Sequence, residues 1–380
     1  MKNNRIAFGP AVTFLIIIAA NTFFSQAGFA DPLPLSLKDA YEKHFAIGAA
    51  IGSSNLADAE RKVLFQHFST ITPENCMKPG SVQPVEGEFH FSPGDALVQM
   101  AKDHGMTVNG HTLVWHSKCP EWYFSDGGQP ASRDLLLKRL REHISRTAGH
   151  FKGQLASWDV VNEALDDGQD YLRNSKWLQI LGEDYIGEAF LEAHKADPEA
   201  ALYYNDYSIE YPTKRAKALK LIKGLKERNI PIHGIGIQGH WILDKIPFKD
   251  LEETILSFHA EGLKVAITEL DLDVVHRKMN GADINAIEDS SADPYPRDLP
   301  IEIQKKQAEQ YAQLFALLSK HSNKISRVTF WGLHDGKSWL NSWPRKRTNH
   351  ALFWDRALKP KLALPAVLRV PVENASKICN

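Results

Sequence analysis

The chain has 380 residues, 43% of them hydrophobic, with 45 basic against 46 acidic side chains and a formal net charge of -1. That size suits one large globular unit or two modest ones, and the charge balance leaves no field to gather nucleic acid or another polyanion. The basic run Arg345-Lys346-Arg347 is too short to read as more than a loop, so a neutral or weakly charged substrate is expected.

The first thirty residues are a different material. Lys2 and Arg5 precede an apolar core from Val12 to Ala20, and small residues surround Ala27 and Ala30. This predicts a secretory signal peptide over residues 1–30, with cleavage after Ala30 or Ala27 and delivery to the periplasm or the medium. The core is short for a membrane span, which takes about 20 residues, and no later segment is apolar enough to be one. The cysteines, Cys76, Cys119 and Cys379, are too few for a disulfide framework. Cys76 and Cys119 follow neighbouring apolar runs, which leaves both a bridge and a pair of small buried thiols open.

After this leader, apolar runs alternate with stretches of helical period. The runs are 44–51, 68–75, 107–116, 156–163, 201–207, 231–240, 264–273 and 325–335. Between them Leu136, Leu140, Ile144 and Ala148 recur at every fourth place, as do Leu251 and Ile255, and Ala308, Ala312 and Ala316. Strand then helix, eight times over, predicts an α/β fold of the closed (β/α)8 TIM-barrel type, one domain over residues 31–380. An open doubly wound sheet would alternate similarly but would show a glycine-rich phosphate loop after its first strand, and Ile51-Gly52-Ser53-Ser54 is not one. Segment 279–300, rich in Asp, Ser, Ala and Pro without period, interrupts the route from the seventh strand to its helix. Its place at the carboxyl face points to a part in shaping a cleft.

Polar residues collect at the carboxyl ends of the runs: Glu74 and Asn75, His111 and Trp115, Asn162 and Glu163, Asn205 and Asp206, Gln238 and His240, Glu269 and Asp271, Trp331 and Asp335. A barrel brings those ends to one face, where its sites are built. Glu163 and Glu269 end the fourth and seventh runs, and two carboxylates about 5 to 5.5 Å apart are the parts a retaining glycosidase needs. Asn162 beside Glu163 offers an amide to a sugar hydroxyl, and a histidine donating to Glu269 would keep it ionised. The histidines lack His-x-His or His-Glu-x-x-His spacing, so neither a metal nor another cofactor is expected. Trp115, Trp331, Trp339 and Trp343 stand at or beyond strand ends, where aromatic faces suit a chain of sugars, while Trp158 is assigned to the core.

These residues carry a resemblance. The stretches Thr72-Pro73-Glu74-Asn75-Cys76-Met77-Lys78, Gly110-His111-Thr112-Leu113-Val114-Trp115-His116, Trp158-Asp159-Val160-Val161-Asn162-Glu163, Tyr204-Asn205-Asp206-Tyr207, Gly236-Ile237-Gln238-Gly239-His240, Ile267-Thr268-Glu269-Leu270-Asp271 and Phe330-Trp331-Gly332 resemble, in order, the motifs of glycoside hydrolase family 10, the endo-1,4-beta-xylanases. The resemblance implies internal cleavage of xylan and xylo-oligosaccharides with retention, Glu163 as acid/base and Glu269 as nucleophile. It also implies that Glu74, Asn75, Lys78, His111, Trp115, Gln238, Trp331 and Trp339 line subsites on the non-reducing side of the cut. Asn162 and His240 would orient the carboxylates and the sugar between them, and Tyr207 would lie toward the leaving group. A monomer is expected. The chain departs from the family's usual pattern at Pro79-Gly80, at Lys118 and in the short loop 343–347, which leaves the outer subsites, and with them chain-length preference and tolerance of side-branches, open. A barrel glycosidase acting on beta-1,4-glucan would use the same carboxylate pair, whereas a non-catalytic sugar-binding barrel should lack one of the two.

Overall fold

The structure, a computed structural model, describes residues 36–277, 282–285 and 293–378. The predicted signal peptide, Cys379 and much of 279–300 lie outside them. Eight parallel strands form the barrel: β1 (Ala46–Ile51), β2 (Thr70–Pro73), β3 (Thr107–Trp115), β4 (Ser157–Asn162), β5 (Ala201–Asp206), β6 (Gly234–Ile237), β7 (Lys264–Asp273) and β8 (Ile325–Phe330). Each strand falls within its predicted run. The sheet closes because β8 pairs with β1 at Ala46↔Arg327 and with β7 at Val265↔Ile325. A short strand, His240–Ile242, extends the sheet beside the far end of β7.

The helices follow from the periods. Arg133–His150 starts at Ser132, whose hydroxyl accepts from the amide of Leu135, and its Leu136, Leu140, Ile144 and Ala148 are buried against the strands. Pro212 opens the helix Pro212–Glu227, where a missing amide hydrogen costs nothing. Leu251, Ile255 and Ala308 are buried as their spacing predicts. Among the described residues no helix is long and apolar enough to cross a membrane.

Register sets the height of each functional residue. Trp115 pairs with Asn162, Asn162 with Asn205, and Asn205 with Gly236, so one layer at the carboxyl end runs across four neighbouring strands. Gly236 is required there, since a Cβ at that position would lie 2.3 Å from the side-chain oxygen of Asn205. Deeper in the barrel a polar layer is satisfied internally: Ser157 donates to Asn109 and Asn109 to Thr70, each at 2.7 Å. Trp158 is wholly buried, as assigned. Cys76 and Cys119 are free thiols, so the bridge left open by their positions is not made.

Candidate active site

Glu163 stands one residue past β4 with φ of +56°, a left-handed backbone that costs a non-glycine residue of order 1–3 kcal/mol. Two bonds hold it there: its amide donates to the carbonyl of Asn205 at 2.9 Å, and Arg173 Nε donates to its carbonyl at 3.0 Å. Its carboxyl group accepts from Trp115 Nε1 at 2.7 Å, Gln238 Nε2 at 2.9 Å and Asn162 Nδ2 at 3.2 Å. Burial, together with the charge of Asp206, outweighs these donors and pushes its pKa up to about 7.

Glu269, on β7, is 5% exposed and almost as deeply set as Glu163 at 4%. It nevertheless titrates in the opposite direction. Burial would raise it, but the hydrogen bond from His240 Nε2 at 3.2 Å and the charges of His111, His240 and Lys78 hold it below the ordinary carboxylate value. His240 is able to do this because it is itself held cationic. Burial disfavours its charge, yet Asp271 Oδ2 lies 3.0 Å from Nδ1, and with Glu269 it carries the imidazole up to about 9. Asp271 also accepts from Trp339 Nε1 at 2.8 Å.

The two carboxylates are joined by amides. Asn205 Nδ2 donates to Glu269 Oε1 at 2.8 Å and to Asn162 Oδ1 at 2.9 Å, and Asn162 in turn donates to Glu163. Thr268 fixes Asn205 by donating to its oxygen at 2.6 Å. Asn205 stands among the polar strand ends expected to line the site, but its bridging role follows from the β4–β5 register, and Thr268 was not expected to take part.

Lys78, His111, Trp115, Asn162, Gln238, His240, Trp331 and Trp339 line one cleft with the two glutamates. Lys78 Nζ sits 5.1 Å above the Trp115 ring and donates to Asn75, while His111 is fixed by Asp159 at 2.9 Å and meets Trp331 edge-on. The remaining expected residues sit apart from that lining. Asn75 is exposed, and Glu74 opens into an adjoining recess beside Gly52 and Lys337. Tyr207 is buried, its hydroxyl accepting from Arg173 and donating to Asp167, and Arg173 in turn links it to the carbonyl of Glu163. His116, which was not expected in the site, has Nδ1 at 3.9 Å from Glu163 Oε2.

The aromatic wall is anchored from below. Trp343 stacks on Trp339 at 4.4 Å between centroids. Arg347 crosses underneath to Asp273 at 2.7 Å and to the carbonyl of Leu340 at 3.0 Å. The short basic run is therefore not all solvated loop, because Arg347 is buried on a buried carboxylate. Among the described residues no group of His, Cys, Asp and Glu is arranged to hold a metal ion. A roomier recess of about 740 Å3 on the outer helices, beside Tyr171 and Lys220, contains none of the residues above.

The model of glycosyl hydrolase family 10 matches residues 36–370. A beta-1,4-xylanase of Dictyoglomus thermophilum is 41% identical over 97% of this chain and 100% of its own length. An endo-1,4-beta-xylanase of Geobacillus stearothermophilus is 39% identical over 88% of this chain and 98% of its own. Among solved structures, a GH10 endoxylanase from a sugarcane soil metagenome superposes with a TM-score of 0.84 at 38% identity, covering 88% of this chain and 99% of that one. A mutant protein in complex with xylotriose does so at 0.81 and 36%, with the same coverage. With a match spanning the whole barrel and relatives near 40% identity over almost their full length, this chain belongs to glycosyl hydrolase family 10.

Proposed function

We propose that this chain is an endo-1,4-beta-xylanase that cuts internal xylosidic bonds with retention of configuration. The observation that carries the reading is a pair of buried glutamates joined through Asn162 and Asn205, one held by Trp115 and Gln238 and the other by a histidine backed by Asp271. Glu163, protonated near neutrality, gives its proton to the leaving oxygen, while ionised Glu269 attacks the anomeric carbon and forms the glycosyl-enzyme. Glu163, now a carboxylate, then takes a proton from the water that releases the sugar. Asn162, His240, Lys78, His111, Trp115, Gln238, Trp331 and Trp339 hold the sugar at the cut and its non-reducing neighbours, with Glu74 and Asn75 farther along. Tyr207 acts through Arg173 on the leaving-group side.

The reading extends to a leader over residues 1–30 that sends a single catalytic domain, residues 31–380, out of the cytoplasm, where it works as a monomer on xylan and xylo-oligosaccharides without a cofactor. The test is hydrolysis of linear xylan beside a soluble cellulose derivative, with the anomer of the first product followed by NMR. Rapid loss of xylan viscosity with the beta anomer formed first is expected. Release of the alpha anomer first, or preference for the glucan, would overturn it.

A further inference from the structure

We propose that residues 282–285 form a strap across the catalytic cleft, latched by Asp283 on Arg173, and that this latch biases the enzyme toward short xylo-oligosaccharides and against polymeric xylan. The inference rests on the xylanase reading and names the substrate class within it. The four residues touch both banks of the cleft. On the aromatic bank, the carbonyl of Asp283 accepts from Trp343 Nε1 at 3.2 Å, and Trp343 is the ring stacked on Trp339. On the acid/base bank, Asp283 Oδ2 lies 3.6 Å from Nη1 of Arg173, whose Nε holds the carbonyl of Glu163. Between these contacts Ala282 and Ile284 line the cleft above Glu163 and Glu269, and Asn285 continues into the recess bounded by His116, Arg173 and Trp177.

The consequence is lack of room. The free volume at the two carboxylates is about 40 Å3, whereas the recess beyond Asn285 holds about 340 Å3. At roughly 10–15 Å3 per water, the first figure accommodates about three or four waters, far from the ~300 Å3 at the lower end of ligand sites. A chain cut internally has to run through this space on both sides of the scissile bond, so it enters with the strap lifted. Any sugar seated at the cut displaces Ala282 and Ile284, but only a chain that continues past the leaving group must also clear Asn285 and the Asp283–Arg173 pair from the recess beyond.

Arg173 is a standing socket, because Tyr207 and Asp167 hold it independently of Asp283. Asp283 is the movable half, one-third exposed, and its carboxylate reaches across the cleft through the ion pair to Arg173, its other oxygen accepting from the neighbouring Asn285 amide at 2.9 Å. Such a pair shifts a two-state balance by about two- to fivefold, enough to bias substrates and too little to seal the site.

The test uses the full-length enzyme with Asp283→Ala and Asp283→Lys, measuring kcat/KM on uncharged linear xylan and on an aryl xylobioside at low and high salt. In the wild type the polymer-to-xylobioside ratio should rise with salt, as the ion pair is screened. Both variants should start about two- to fivefold higher, lose the salt dependence and keep aryl xylobioside turnover within about twofold, and Asp283→Glu should restore the wild-type ratio. A ratio that stays at the wild-type value in both variants, or that falls, overturns the latch. Should the variants fail to fold, a wild-type ratio indifferent to salt overturns it alone. A wild type inactive on aryl xylobioside would instead remove the xylanase reading, which keeps the two failures distinct.

Discussion

Asp271→Asn tests how the nucleophile is kept ionised. The substitution preserves shape and leaves an oxygen for Trp339 Nε1, but it removes the anion 3.0 Å from His240 Nδ1. Burial already pulls His240 toward neutrality, and Asp271 is foremost among the groups that reverse it. Without Asp271 the imidazole discharges at neutral pH, and Glu269 exchanges a charge-assisted hydrogen bond for a neutral one. A charge-assisted bond contributes about 1.5–3 kcal/mol against about 0.5–1.5 for a neutral one, a difference of about 1–1.5 kcal/mol, or about one pKa unit at 1.36 kcal/mol each. Glu269 is held below its ordinary value in the wild type, so losing the cation raises it, and the acid limb of kcat/KM, which reports the free enzyme's nucleophile, moves up by about one unit. The assay is kcat/KM for an activated aryl xylobioside from pH 3 to 9, with circular dichroism at each end. An acid limb left in place, in a variant that stays folded, would show that the imidazolium is not what ionises Glu269.

A 2-fluoro xylobioside with a good leaving group should leave its label on a peptide containing Glu269, and label on another carboxylate would reject the nucleophile assignment. Glu163→Gln should stabilise the fold above neutrality. The wild-type carboxyl is raised to about 7 by burial, so the unfolded chain ionises first and stability is lost as pH climbs from the ordinary carboxylate value to about 7. The variant escapes that loss, worth roughly 3 kcal/mol at most, and its Tm advantage should open over this window and then level off. Trp339→Ala should lower kcat/KM on aryl xylobioside through lost stacking of roughly 1 kcal/mol while reducing aryl cellobioside less. That asymmetry would follow from the ring, 4.8 Å from His240, filling the space a hydroxymethyl group would need. A fixed ratio of the two specificity constants would place sugar selection elsewhere.

The barrel was legible because each strand is an apolar run that ends on polar residues, a pattern that exists only where a buried element opens onto a face. Glu163 and Glu269 were legible for the same reason. Asn205 as a bridge was not, since its bonds to Asn162 and Glu269 depend on the pairing of β5 with β4 and on the vacancy at Gly236. Tyr207 looked like a subsite residue by motif, but Arg173 and Asp167 occupy its hydroxyl, and neither is near it in sequence. Segment 279–300 was expected to shape a cleft from its place at the carboxyl face, but that residues 282–285 are the part over the carboxylates was not legible, since they carry no periodicity. Cys76 and Cys119 were close enough in layout to invite a bridge, yet pairing depends on how side chains point.

The amide bridge from Glu163 through Asn162 and Asn205 to Glu269 makes the stereochemical outcome a shared property of four side chains. Converting a retaining enzyme to an inverting one requires widening the gap between carboxylates, as by trimming a glutamate to an aspartate. Here a retreat at Glu269 would free a donor on Asn205, whose oxygen is pinned by Thr268 and whose other hydrogen holds Asn162. The strain would pass along the bridge to the proton donor, so both steps of catalysis would suffer before a second water could be seated. Laboratory evolution of this scaffold toward inversion would therefore have to rebuild the bridge as a unit, and a route of single substitutions would cross a valley of inactive intermediates.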